Sequence, residues 1–159
     1  MELVITGYAG ETGSRDIYQN KEQREKLLDR YPKSFFRVFE EPEEDCVTWG
    51  NVEGVQDVES AAGGGVYGAM WRILKRNGMG ASYSQRLIPL RQQTVEICEM
   101  FGLDPYRLNS ENCAVWLCTD AAPLKAHFSR AVSVGYTEKG PAIRRMDGES
   151  IAYLRKPDQ

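Results

Sequence analysis

Apolar residues recur at the helix period in two segments of the chain, which predicts two core helices. The first segment covers residues 66–76, and the second begins after Pro89 and stops before Gly102. The inward positions are Val66, Ala69, Met70, Ile73 and Leu74 in the first helix and Leu90, Thr94, Ile97, Cys98 and Phe101 in the second. Two more polar segments are also predicted to be helical, residues 21–31 and a short helix capped by Asp120.

Short apolar runs predict the strands. They cover residues 3–6, part of 52–60, 81–88, 113–118 and 132–137, and a hairpin formed by 143–146 and 150–154. Residues 113–118 are apolar without interruption, which is typical of a strand covered on both faces. Residues 34–39 could be a helix or a strand, and residues 7–14 and 40–45 are predicted to be loops. The mixed order of elements predicts an α+β fold with a mixed sheet, and residues 1–159 form a single predicted domain.

Composition narrows the functional classes. The chain has 159 residues, a net charge of −3 and a 42% apolar fraction, which argues against nucleic-acid or anionic-membrane binding. No run has the length of a membrane span and no signal peptide is recognised, so a cytoplasmic location is expected. The four cysteines form no C-x-x-C pair and are expected to be reduced thiols. The single histidine, His127, cannot build a zinc cluster, and no metal site is predicted.

Three consecutive glycines, Gly63, Gly64 and Gly65, lead directly into the first core helix. Backbone N–H groups at such a helix start, together with the helix dipole, favour a phosphate or carboxylate. The alternative is that the glycines only turn the chain or allow close packing, and spacing alone slightly favours that alternative. The run has no lysine and does not match the spacing of a Walker loop.

Three motifs in this order resemble the C-terminal domain of aminoimidazole ribonucleotide (AIR) synthase-related proteins, the PurM-like/HypE-like family. They are residues 63–71, residues 88–99 and residues 102–110. Residues 3–13 and 134–154 extend the resemblance to nearly the whole chain. The resemblance implies a three-layer α/β/α domain with a mixed sheet and partial similarity to a ferredoxin-like arrangement.

In two-domain members of the family, an N-terminal domain carries an Asp-rich Mg-ATP site used for phosphoryl transfer. The sequence offers no such acidic cluster, so the ATP-binding N-terminal domain is expected to be absent. The Asp and Thr that the family places before its paired glycines are replaced here by Ser60 and Ala62. These departures leave an anion-binding backbone without its chemistry, because phosphoryl transfer needs metal and basic groups. No intrinsic cofactor is expected, and ATP and magnesium would come through a partner domain.

Three functions follow from this resemblance. The first is a binding or regulatory module that holds a phosphorylated small molecule or nucleotide without complete catalytic machinery. The second is one half of a split ATP-dependent enzyme, completed by a separate N-terminal-domain chain, and the third is a non-catalytic protein that self-associates as a homodimer. The predicted ligand site comprises Gly63, Gly64, Gly65 and Ser60, with possible support from Arg91, Glu111 and Asn112. Arg91 could instead make a surface or capping contact, and Asn112 could simply tolerate a positive φ. The catalytic residues remain unknown.

Overall fold

A computed structural model of the chain describes residues 1–50, 53–148 and 152–157. The strands are β1 (Glu2–Thr6), β2 (Val55–Ala61), β3 (Gly80–Tyr83), β4 (Ser110–Cys118), β5 (Ala131–Glu138), β6 (Ile143–Arg145) and β7 (Ala152–Tyr153). The α-helices are α1 (Glu11–Gln19), α2 (Lys21–Leu28), α3 (Gly65–Arg76), α4 (Gln92–Phe101) and α5 (Ala122–His127). Two 3₁₀ helices cover Lys33–Glu40 and Gln85–Leu87. No helix in this part of the chain is long and apolar enough to cross a membrane.

The strands form one seven-stranded sheet in the order β2-β4-β1-β5-β3-β6-β7. The β3–β6 pair is parallel and the other pairs are antiparallel. Strand β1 lies between β4 and β5, with Ile5 opposite Val115 on one side and Val132 on the other. The mixed sheet and the α+β class predicted from the sequence are therefore confirmed.

The two faces of the central strands are covered by different elements. Leu3 and Ile5 of β1 belong to a buried cluster with residues of α3, whereas Val4 belongs to a second cluster with Leu124 of α5 and Trp116. Strand β4 is buried on both faces in the same alternating way, because its side chains project to opposite sides of the sheet. The prediction of a strand covered on both faces is confirmed.

A third buried cluster lies among the helices at one side of the sheet. Its centre is the fully buried Phe36 of the first 3₁₀ helix, which packs against Tyr18 of α1 with ring centroids 4.7 Å apart. Leu27 of α2 and Ile97 of α4 complete the cluster. The segment for which helix and strand were both open is therefore a 3₁₀ helix with a packed inner side.

Several predicted elements differ from the structure. Residues 7–14 were expected to be a loop, but α1 begins at Glu11. The strand predicted over 81–88 ends at Tyr83, and the helix predicted over 21–31 ends at Leu28. Strand β2 lies within the predicted 52–60 region, although residue 52 is outside the described residues. Asp120 was predicted to cap the short helix that is now α5, and its carboxylate accepts the Ala122 N–H at 3.0 Å at the start of that helix.

The C-terminal hairpin is confirmed where the structure describes it. Strands β6 and β7 pair antiparallel, with Arg144 opposite Tyr153. The predicted residues 150 and 151 of this hairpin lie outside the described residues.

Candidate functional site

The glycine run connects the end of β2 to the start of α3. Gly63, Gly64 and Gly65 all have positive φ values, 59°, 82° and 66°. Three consecutive residues in this region require glycine, because a Cβ atom makes left-handed backbone costly. A Cβ atom on Gly65 would also lie 2.7 Å from backbone atoms of Tyr106, Arg107 and Leu108. The turning and packing roles of the glycines are therefore real, whether or not a ligand binds.

Arg72 forms hydrogen bonds to the carbonyl groups of this glycine loop. Its guanidinium donates to the carbonyl oxygens of Ser60 at 3.2 Å, Ala62 at 3.1 Å and Gly63 at 2.9 Å. The arginine projects from the second turn of α3, so the helix itself fixes the loop that precedes it. With these carbonyl groups already bound to a cation, an anion approaching the loop does not face them as unpaired acceptors.

The amide groups of the loop are only partly used within the protein. The Tyr67 N–H donates to the Tyr106 carbonyl at 2.9 Å, and the Gly68 N–H donates to the Gly64 carbonyl at 3.0 Å. No acceptor among the described residues receives the N–H groups of Gly63, Gly64 or Gly65. Gly63 and Gly64 are exposed, whereas Gly65 is buried. Gly63 and Gly64 therefore present exposed backbone just before α3, whereas the first N–H groups of the helix itself belong to the buried Gly65, Val66 and Tyr67.

A cavity of about 440 Å³ adjoins Gly64. Its other lining residues are Arg107, Arg155, Lys156 and Pro157, so three cationic side chains face the start of α3. The nearest ionic partner of Arg107 is Asp104, with 3.9 Å between Nε and Oδ2, and its guanidinium lies 5.4 Å from the centre of the Tyr67 ring. The cavity combines excess positive charge with exposed backbone donors, an arrangement suited to an anionic group.

Segments that are distant in the sequence meet around residues 104–110. On one side, Gly65 packs against the backbone of residues 106–108. On the other side, the Gly10 N–H donates to the Ser110 hydroxyl at 2.5 Å, and the Gly13 N–H donates to the Asn109 carbonyl at 2.9 Å. The starts of α1 and α3 therefore flank the same segment.

The predicted site residues fall into two groups. Ser60 is at the glycine loop, where its hydroxyl accepts the Ala62 N–H at 3.2 Å and lies 3.4 Å from the Glu111 carbonyl oxygen. Glu111 also connects to α1, because its N–H donates to the Thr12 hydroxyl at 3.0 Å. Arg91 lies elsewhere, in contact with Glu11 and Tyr8 at the start of α1. These contacts agree with the alternative interpretation of Arg91 as a surface or capping residue, and its support of a ligand at the glycine loop stays a prediction.

Asn112 also has a different role from either interpretation of the sequence. It lies within β4, and no non-glycine residue in the described part of the chain has a positive φ. Its carbonyl accepts the Cys46 N–H at 3.0 Å, which attaches the residue 46–49 segment to the sheet. Asn112 is thus part of the strand pairing and loop attachment, and it is its neighbour Glu111 that contacts Ser60 beside the glycine loop.

Sequence reasoning missed Arg72, Arg155 and Lys156 as site residues. Arg72 lies off the apolar stripe of its helix, and a residue seven positions after Gly65 can reach back over the first turn. Arg155 and Lys156 form a basic pair directly after β7, and nothing in the local pattern links this pair to residue 64. The basic pair itself, near the end of the described residues, is the sequence signal that could have indicated this side of the site.

The ionisable groups near the loop favour binding over chemistry. Burial raises the pKa of the Tyr67 and Tyr106 hydroxyls, so both remain neutral at physiological pH. The described residues contain no group of three or more His, Cys, Asp or Glu side chains placed to hold a metal ion. The side chains that line the cavity can attract phosphate oxygens, but they supply neither a carboxylate ligand for magnesium nor a general base.

The chain is similar in sequence and in fold to proteins that are already known. No protein-family model matches the chain. Carbamoyl dehydratase HypE of Rhodobacter capsulatus is 28% identical over 118 residues, which is 67% of this chain and 35% of that protein. The fold is similar to a chain of the HypE–HypF complex, with a TM-score of 0.71, 18% identity and coverage of 98% of this chain and 52% of that one. HypE in complex with ATP gives a TM-score of 0.71 at 16% identity, with 99% and 51% coverage.

The sequence likeness to HypE and the shared fold show that the chain is similar to an AIR synthase-related domain of the PurM-like/HypE-like type. The chain spans about a third of the curated HypE and about half of the solved HypE chains. It therefore corresponds to one part of those proteins.

Proposed function

We propose that this domain binds the phosphate group of a phosphorylated small molecule or nucleotide at the start of α3, without complete catalytic machinery of its own. The observation that carries the proposal is the cavity in which exposed Gly64 lies beside Arg107, Arg155 and Lys156. Backbone amides orient the phosphate oxygens and the three cations balance their charge. Arg72 binds the carbonyl groups of Ala62 and Gly63, so these acceptors do not repel the phosphate as unpaired oxygens.

The cavity suits a phosphate group better than a magnesium ion. Magnesium prefers carboxylate and water oxygens, whereas the lining side chains are cationic. In this proposal the ion of a Mg-ATP complex takes its ligands from outside this set of residues. This domain's own part is to bind and orient the phosphate.

Isothermal titration calorimetry tests the proposal with ATP, ADP, AMP and ribose 5-phosphate, and with adenosine as the uncharged control. We expect the phosphorylated compounds to bind and adenosine to give no heat. The combined substitution Arg107→Gln, Arg155→Gln and Lys156→Gln should weaken binding at least about 10-fold, because charged hydrogen bonds are lost. Lys26→Gln, an exposed cation on α2, is the matched control and should leave affinity unchanged. Equal affinity in all three proteins would refute the assignment.

A second candidate is that a separate chain supplies an ATP half and that this domain completes it. The supporting observation is the length of the match, since an ATP-bound HypE has about twice the span of this chain. In this case Mg-ATP binding should be strong only after mixing with a chain that carries the remaining half of a HypE-like protein. Light scattering of the domain alone separates this arrangement from a homodimer, which would be present without the second chain. We place either arrangement in the cytoplasm.

A further inference from the structure

Two arginines lie over one tyrosine ring at the start of α1. The guanidinium carbon of Arg91 is 4.0 Å from the centre of the Tyr8 ring, and that of Arg130 is 4.8 Å from it. The two arginines come from segments about 40 residues apart in the sequence, before α4 and before β5. Both distances are within the range of cation–π attraction.

The backbone holds this cluster in place. The Gly7 N–H donates to the Arg130 carbonyl at 3.2 Å, and the Ala9 N–H donates to the Pro89 carbonyl at 2.9 Å. The residues on each side of Tyr8 are therefore hydrogen-bonded to the two segments that supply the arginines. The arrangement is built into the loop, and it does not depend on the free rotation of long surface side chains.

The three arginines near the start of α1 differ in their ionic partners. Glu11 is the shared carboxylate, bound by Arg91 through Nε and by Arg15 through Nη2 at 3.3 Å. Arg15 is nearly buried and also donates to the carbonyl groups of Glu41 and Val38. Arg130 has no acidic partner among the described residues, and its side chain is exposed. Arg91 and Arg15 thus share Glu11, Glu43 also interacts with Arg15, and Arg130 is the arginine of the three without a salt bridge among the described residues.

Donors remain available on both arginines. Arg91 uses Nε for Glu11, and within the described ranges neither its terminal nitrogens nor the Arg130 guanidinium donates to a protein acceptor. A guanidinium presents a planar pair of N–H groups that matches the oxygens of phosphate or carboxylate. Two such groups match the several oxygens of one dianion, whose double charge offsets the repulsion between the two guanidinium groups.

We propose that Tyr8, Arg91 and Arg130 form a second oxyanion site, which binds the dianionic phosphate of a phosphomonoester. Tyr8 positions the two guanidinium groups through its ring, and the terminal nitrogens of Arg91 and Arg130 donate to the phosphate oxygens. This site lies at the start of α1 and is built from residues other than those at the start of α3. It does not rest on the function proposed above.

The test uses nuclear magnetic resonance of the arginine Nε–Hε groups during titration with inorganic phosphate. The starting protein is the triple variant Arg107→Gln, Arg155→Gln, Lys156→Gln, in which the cavity beside Gly64 has lost its cations. We expect saturable shifts of the Arg91 and Arg130 signals in this protein. Adding Arg130→Gln should weaken phosphate binding at least about 10-fold. Lys26→Gln, added instead, should change nothing.

Further arms identify the source of the phosphate group and check the fold. Ribose 5-phosphate and a phosphoserine peptide distinguish a small metabolite from a modified protein. The tyrosine ring is tested by Tyr8→Phe, which should keep binding, and by Tyr8→Leu, which should weaken it. Far-ultraviolet circular dichroism confirms that each variant is folded.

The two sites can fail separately. If the triple variant loses all phosphate binding, this second site is refuted and the site at α3 stands. If wild-type binding is insensitive to the triple substitution but is lost in Arg130→Gln, the function proposed for the α3 site fails and the second site stands. Binding that is unaffected by Arg130→Gln in the triple variant refutes the second site.

Discussion

Gly65 and Gly63 show that neighbouring glycines can be required for different reasons. Gly65 has a positive φ of 66° and also lies against the backbone of residues 106–108. Gly63 has a φ of 59°, but a Cβ atom there would meet nothing within 4 Å. The sequence presents both as members of one run, and only the structure separates the conformational requirement from the packing requirement.

We therefore expect Gly65→Ala to destabilise the domain by about 2–4 kcal/mol, from left-handed strain plus overlap with the adjacent backbone. Gly63→Ala should cost only about 1–2 kcal/mol, because strain is its sole penalty. Urea unfolding followed by tryptophan fluorescence measures both free energies. Similar losses for the two variants would show that the contact between Gly65 and residues 106–108 has no energetic weight.

The partners of individual side chains were harder to predict than the position of the glycine loop. Ser60 and the glycines could be placed together because they are close in the sequence. The partners of Arg91 could not be predicted, since Glu11 and Tyr8 are brought to it by tertiary structure. The charge and position of a residue in a motif indicate that it can bind an anion. They do not indicate which of two similar helix starts it reaches.

At the scale of elements, α1 shows where hydrophobic periodicity fails. Its buried residues include Glu11, Thr12, Ser14 and Arg15, which a sequence pattern treats as solvent-exposed. These side chains are buried because they have partners: Thr12 donates to Glu43 at 2.7 Å, and Ser14 donates to the Gly10 carbonyl at 2.8 Å. A helix with a polar inner side carries no apolar stripe, so the segment was predicted to be a loop. Helix α3, with a regular apolar stripe, was predicted within one residue of its start.

Arg72 connects α3 to the preceding loop through its hydrogen bonds to the loop carbonyls. Arg72→Gln removes the donor to three loop carbonyls, so the loop should become more mobile and phosphate affinity should fall about 10-fold. The control is Arg76→Gln, one turn further along the same helix. Arg76 binds Asp57 and Glu59 but donates to no glycine-loop carbonyl.

Amide hydrogen exchange at Tyr67 and Gly68, whose N–H groups are hydrogen-bonded to Tyr106 and Gly64, measures this effect together with calorimetry. Exchange should be faster in Arg72→Gln and unchanged in Arg76→Gln. If both variants lose affinity equally, the general charge of the helix and not the fixed loop explains the result.

At the scale of the whole molecule, the fold was predictable because its motifs occur in a recognisable order. The sheet, the two core helices and the buried strand β4 all follow from apolar patterning and from the family resemblance. The cationic side of the cavity was not predictable, because Arg155 and Lys156 are about 90 residues from Gly64. Their position depends on β7 pairing with β6 and on β6 pairing with β3, which is a property of the complete sheet.

The cysteines provide a test of the folded molecule as a whole. Cys46, Cys98, Cys113 and Cys118 are free and buried, as the sequence predicted for reduced thiols. Burial raises the pKa of Cys46, Cys98 and Cys118 to about 11, and that of Cys113 further still. Because the thiolate is the reactive form, the native domain should react slowly with a disulfide reagent at pH 8.

In denaturant all four thiols should react rapidly, and the thiolate that the disulfide reagent releases is measured by its absorbance. The protection should fall as pH rises toward 11, where the buried thiols begin to ionise. Rapid reaction of one cysteine in the native state at pH 8 would show that its part of the core opens readily.

The position of β1 also determines when the domain can assemble during synthesis. Its two neighbours in the sheet, β4 and β5, begin at Ser110 and Ala131, more than a hundred residues later. A ribosome that has released β1 must therefore add most of the domain before Leu3, Val4 and Ile5 can be covered from both sides. Closing such distant contacts is slow, and an uncovered apolar strand can associate with other chains while it waits. The interval between the synthesis of β1 and that of β5 is thus the stage at which the unfolded domain is most exposed to association with other chains.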